Sequence, residues 1–211
     1  MEFNKKLKWG RLVWCLFLFI YFFHFFKNLF LSSLSQNFLI PIIFFITLSY
    51  WMIIEYYFSS PFFQSGIVEY HQGLRIIYSL YFYPFLIFNG VDYCYSSFSQ
   101  IEFLKPGINI FGLIIFFIGT FLRIITLFIA LISSLKELPK RIIYRKISQP
   151  RYLATLIQLI SIPFTFSSFL GFLLLPLGIL IIIYEAKYEN KILIKYYNKE
   201  SRIFLLIPKL I

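Results

Sequence analysis

Residues 144–154 read Tyr144-Arg145-Lys146-Ile147-Ser148-Gln149-Pro150-Arg151-Tyr152-Leu153-Ala154. This is a basic, polar, proline-containing segment between two long apolar runs, 108–135 and 152–166. A segment of this kind stays in water at a membrane face while the chain on either side enters the bilayer, because hydrocarbon accepts neither its charges nor irregular backbone. The remaining chain is placed relative to it.

The 211 residues are 60% hydrophobic and 23% aromatic, with only 14% charged. A soluble domain carries about a quarter charged residues, so the composition predicts an all-α integral membrane protein. Each crossing needs about 20 apolar residues, and the length suits a bundle of about six transmembrane helices with no separate soluble domain. The expected spans are residues 12–31, 38–57, 75–97, 108–135 and a short hairpin, 152–166 and 169–184, turned at Ser167-Ser168. From residue 185 to 204, Lys187, Lys191, Lys195 and Lys199 recur every fourth residue, which predicts a C-terminal amphipathic helix lying along the cytoplasmic face.

The net charge of +11 is gathered at three membrane ends: Lys5 to Arg11, Lys136 to Arg151, and Lys187 to Lys209. Attraction to anionic lipid and the positive-inside bias explain all three and argue against nucleic-acid binding. With six crossings these three regions share one side, so both termini and the basic loop are expected in the cytoplasm. The turns at 32–37, 100–107 and 167–168 are expected opposite. Cys15 and Cys94, both in apolar runs, form no disulfide or metal framework. Glu69 and His71, without a third ligand or helical spacing, read as solvated loop groups, and no metal site is expected.

Within the longest apolar run the one charge is Arg123. A mid-membrane arginine costs roughly 2.5–3.5 kcal/mol on insertion scales. It either lines a polar site or makes a structural pair. Gly112 and Gly119, seven residues apart, share a helix face that can approach a neighbour closely. Glu189 falls opposite the lysine stripe, where an unpaired carboxylate is costly, and so is a site candidate.

The order of these features carries a resemblance: Gly119-x-x-x-Arg123 in a span, then a basic loop with Tyr144-Arg145-x-x-x-x-Pro150-x-Tyr152, a short hairpin, Glu189, and Ile207-Pro208 after a terminal helix. It resembles the isoprenylcysteine carboxyl methyltransferase and phospholipid methyltransferase superfamily over residues 112–211. Residues 1–111 match none of its motifs and are the expected acceptor-side region. The resemblance implies S-adenosylmethionine as cofactor, bound on the cytoplasmic side by Tyr144, Arg145, Gln149, Pro150, Tyr152, Glu189 and Asn190. It also implies a lipid or other membrane-borne acceptor, with Arg123 orienting an anionic one. Ser148 stands where the family has arginine, Gln149 where it has histidine, Ala154 where it has glycine and Asn190 where it has a second glutamate. Two alternatives stay open: an NADPH-dependent membrane reductase of the steroid-reductase type, and a non-catalytic relative without cofactor binding.

Overall fold

A computed structural model of the chain describes residues 39–57, 72–93, 97–132, 147 and 150–197. Among them are five α-helices and no strand. The expected span at 12–31 lies outside the described residues, so six crossings are not established. The chain divides into two compact units, Met1–Tyr57 and Phe58–Ile211.

The first unit contributes α1, Leu39–Tyr57, close to the expected 38–57. Pro41 sits in its first turn, where the missing N–H has no helical partner to lose. The Thr47 hydroxyl donates to the Ile43 carbonyl at 2.8 Å, which satisfies it inside an apolar helix. Phe44 and Phe45 meet edge-on with ring centroids 5.4 Å apart.

The second unit holds α2 (Gln72–Val91), α3 (Gly107–Ile132), α4 (Pro150–Thr165) and α5 (Phe169–Tyr197). Within these, Gly107–Ile129 and Phe169–Tyr188 are long and apolar enough to cross a membrane. The expected span at 75–97 ends early: α2 runs unbroken through Pro84 and stops at Val91. Beyond it the Asp92 carboxylate accepts the Phe98 and Ser99 amides and reverses the chain.

The short hairpin forms as α4 and α5, joined by a turn at 166–168. Ser168 N–H donates to the Pro163 carbonyl and Ser167 N–H to that of Phe164, the pair of bonds that closes a Schellman helix end. This places Ser167 at φ 48°, which glycine adopts freely and other residues at a cost of about 1–2 kcal/mol. The serine hydroxyl compensates by accepting from Asn109 Nδ2 at 2.6 Å. Ser168 then caps α5, its Oγ accepting the Gly171 amide at 3.0 Å. One expectation is corrected: the amphipathic stretch is not a separate helix. The chain turns polar at Glu185 but no glycine or proline lies between there and Tyr197, so α5 continues through it.

α3 and α4 form the most extensive helix pair, and they run antiparallel. The α3 side of the seam is Asn109, Gly112, Phe116, Gly119, Arg123 and Thr126, all buried and spaced alternately by three and four residues, as in knobs-into-holes packing. Opposite stand Thr155, Gln158, Ile162 and Thr165 with the same spacing. Gly112 lies directly on the backbone of Phe164 and Thr165, and Gly119 on Gln158 and Ile157. Close backbone approach through small residues is how helices associate where lipid removes the hydrophobic drive between them. α5 packs on α2 in the same manner: Gly178 faces the Tyr81 ring, whose hydroxyl donates to the Leu174 carbonyl at 2.9 Å. Gly171 abuts Asn89 Oδ1, an oxygen with no conventional hydrogen-bond donor among the described residues, so the Gly171 Cα–H is its neighbour.

The outward faces are apolar, and the interior mixes polar side chains with apolar ones such as Phe116, Leu159 and Ile162. Ser161, Thr165, Ser167, Ser168 and Asn89 are wholly buried, whereas Ile114, Phe117, Phe121, Leu173, Leu177 and Leu180 are exposed.

Candidate functional site

The α3–α4 seam is a ladder of polar layers. At one end Asn109 Nδ2 donates to the Thr165 carbonyl at 2.7 Å. Thr165 Oγ1 and Ser161 Oγ each return a bond to their own helix, to the carbonyls of Ser161 and Gln158. In the middle Gln158 Nε2 donates to Thr120 Oγ1 at 3.0 Å. At the other end Arg123 Nη1 donates to Thr155 Oγ1, and Thr155 donates in turn to the Arg151 carbonyl at 3.0 Å. A guanidinium only 8% exposed is thus the last and most strongly charged layer, nearest the ends of α3 and α4 that the basic loop joins.

The candidate site lies at that end. Tyr152, one turn before Thr155, is 7% exposed, and the Arg151 guanidinium stands 5.9 Å from its ring centroid. On α5, Gly178 packs on Leu159. Continuing that antiparallel register by seven residues on each helix brings Glu185 level with Tyr152. Glu185 is 7% exposed. A buried arginine, a buried tyrosine and a buried glutamate from three helices therefore fall within about one helical turn of a common level. Charges so far from water are retained where they have partners or a task.

Of the residues expected to form the site, Arg123 and Tyr152 are brought to this layer, and Pro150 is the buried first residue of α4. Tyr144, Arg145 and Gln149 lie outside the described residues. Glu189 and Asn190 are on α5, one turn beyond Glu185. Thr155, Thr120 and Gln158 were not anticipated. Their signal was the alternating three-and-four spacing of small and polar residues on two neighbouring apolar segments.

A second polar cluster closes the opposite end. The Asp92 carboxylate, 2% exposed, accepts the Phe98 amide at 2.8 Å and the Ser99 hydroxyl at 2.5 Å. Ser99 Oγ lies 3.0 Å from Ser168 Oγ, and two backbone bonds, Ile101 N–H to Ser167 O and Phe169 N–H to Ser99 O, tie the 97–106 turn to the 166–168 turn. Gln100 donates to the carbonyls of Asp92 and Tyr93 and accepts from Lys105. Lys105 also stands 5.2 Å from the Tyr93 ring centroid. Burial holds the Lys105 ammonium below its ordinary range, against the opposing pull of Glu102 and Asp92. These bonds tie the 97–106 turn to the end of α2 and to the 166–168 turn, as befits a clasp.

Among the described residues no group of three or more His, Cys, Asp or Glu could hold a metal ion. No family model matches the sequence, and comparisons with curated proteins and with solved structures return no match.

Proposed function

We propose that the chain is a multi-pass membrane protein, with its termini and the 133–149 segment in the cytoplasm, that binds S-adenosylmethionine at the cytoplasmic end of α3, α4 and α5 and methylates a lipid or other membrane-borne acceptor. The observation that carries the reading is the buried layer of Arg123, Tyr152 and Glu185. The exposed isoleucines, leucines and phenylalanines of α3 and α5 support embedding in lipid, and the clustering of Lys and Arg supports the orientation.

The chemistry of the layer fits that cofactor. Its ammonium, carboxylate and adenine call for an anion, a cation and an aromatic face, and Glu185, Arg151 and Tyr152 supply these three. Tyr144, Arg145, Gln149, Pro150, Glu189 and Asn190 would complete the site as the family resemblance implies. When bound, the cofactor supplies an electrophilic methyl group, which needs an in-line nucleophile and no metal. Arg123 holds an anionic acceptor from the seam.

A second reading is that the protein binds no cofactor. The Arg123–Thr155 hydrogen bond favours it, since a guanidinium engaged with its neighbouring helix already has a structural use. Thermal unfolding of the detergent-purified protein separates the readings. A ligand at 100 times its Kd adds about 2.7 kcal/mol, or about 5–10 °C for a chain of this size. S-adenosylmethionine should give that rise, Glu185→Gln should remove it, and Glu102→Gln, on an exposed turn, should keep it. A rise with NADPH alone would replace the methyltransferase with a reductase, and a rise with neither would leave the non-catalytic reading.

A further inference from the structure

The 97–106 turn exposes Phe98 and Phe103 by 82% and 85%, more than any other large apolar residues described. It is not a slack loop. Asp92 holds the Phe98 and Ser99 amides, and Ser99 and Ile101 are bonded to the 166–168 turn. Two phenylalanines are therefore presented outward by rigid backbone, where a solvated turn would carry polar side chains.

The depth of the turn follows from its bonds. Phe169, whose amide donates to Ser99 O at 2.7 Å, is the first residue of one apolar segment, and Gly107, three residues after Leu104, is the first of the other. Both segments run away from the turn. It thus lies at the depth where hydrocarbon begins, next to the exposed Phe111 and Phe169 side chains. From Asn109 to Arg123 is fourteen residues of α3, about 21 Å at 1.5 Å per residue, so the turn and the candidate site belong to opposite leaflets.

We infer that the 97–106 turn is a lipid anchor: Phe98 and Phe103 insert at the boundary of headgroup and acyl chain in the leaflet opposite the basic segments. This rests on the membrane reading above but not on the methyltransferase reading. The occupant is lipid rather than a protein, because the aromatics stand where α3 and α5 begin, and the exposed Ile110, Phe111, Ile114, Phe169 and Leu173 of those helices form outward apolar faces. The anchor fixes the height of the bundle, and with it the depth of the Arg123 layer below the far surface.

The test uses single cysteines placed at Phe98, Phe103, Glu102 or Phe121 in a Cys15→Ser, Cys94→Ser background, labelled with an environment-sensitive fluorophore and reconstituted in phosphatidylcholine–phosphatidylglycerol vesicles. Quenchers are aqueous iodide on both faces and lipids bearing a nitroxide near the headgroup or near the chain end. At Phe98 and Phe103 the shallow nitroxide should remove most of the emission and iodide little, while Glu102 should respond to iodide. Phe121, midway along α3, should respond to the deep nitroxide. Iodide quenching at Phe98 and Phe103 as strong as at Glu102, or protection from every quencher as a protein partner would give, overturns the anchor. Loss of lipid quenching at Phe121 as well would overturn the membrane reading itself. If the serine background does not fold, fluorophenylalanine in the otherwise unaltered chain, read by NMR relaxation from the same nitroxide lipids, decides the same point.

Discussion

Gly112→Ala probes the seam on which the candidate site rests. A Cβ there would lie 2.2 Å from the Thr165 nitrogen, 2.6 Å from the Phe164 carbonyl carbon and 2.7 Å from the Thr165 Cα, against an ordinary contact of at least 3.4 Å. All three are backbone atoms within or next to the last turn of α4, where no rotamer change can yield. The two helices must part by about 1 Å. Overpacking of this kind costs typically 1–3 kcal/mol, and parting the helices stretches the two bonds from Asn109, each worth about 1 kcal/mol. The expected total of about 3–5 kcal/mol lowers the midpoint of thermal unfolding by roughly 10 °C. Differential scanning fluorimetry of the purified protein in detergent reads it, with Gly107→Ala as the comparison, since nothing lies within 4 Å of a Cβ there. Gly119→Ala should fall between, its nearest neighbour at 2.9 Å being the flexible Gln158 side chain. Equal midpoints for Gly112→Ala and Gly107→Ala would refute the account of close backbone approach.

The clasp makes further predictions. Asp92→Asn replaces a carboxylate that accepts three donors from Phe98 and Ser99 by an amide with one oxygen, and should cost about 2–3 kcal/mol by the same fluorimetric assay. Lys105 gives a pH signature. Its folded-state pKa lies below 10.5, so between that lowered value and 10.5 the unfolded chain binds more protons than the folded one, and stability from this group rises with pH through that window. Lys105→Gln should flatten this part of the midpoint–pH curve, and an unchanged slope would remove Lys105 as its source.

How much of this was readable in the residues follows from the range of the interactions. The close-approach face of Gly112 and Gly119 was legible because the fixed geometry of a helix turns a seven-residue interval into a shared face. The helical hairpin was legible because Ser167-Ser168 interrupts two apolar runs. Asp92 was not: its partners are turn amides six and seven residues on and the Ser99 hydroxyl, which in turn meets Ser168 in a second turn, and no periodicity announces them. The continuity of α5 past Glu185 was hidden by a change in polarity, to which helix backbone is indifferent so long as no glycine or proline intervenes. Glu185 and Glu189 lie one turn apart on α5, and the lysine stripe alone favoured the second. Glu185 becomes the sharper candidate only because the Leu159–Gly178 contact sets the register of α5 against α4.

The central claim, that S-adenosylmethionine binds at the level of the Arg123, Tyr152 and Glu185 layer, is tested most directly by equilibrium binding of the methyl-tritiated cofactor to the protein in lipid nanodiscs. Saturable retention at a single site per chain, lost in Glu185→Gln and retained in Glu102→Gln, is the predicted result. A folded wild-type protein that shows no saturable retention at millimolar cofactor would contradict it.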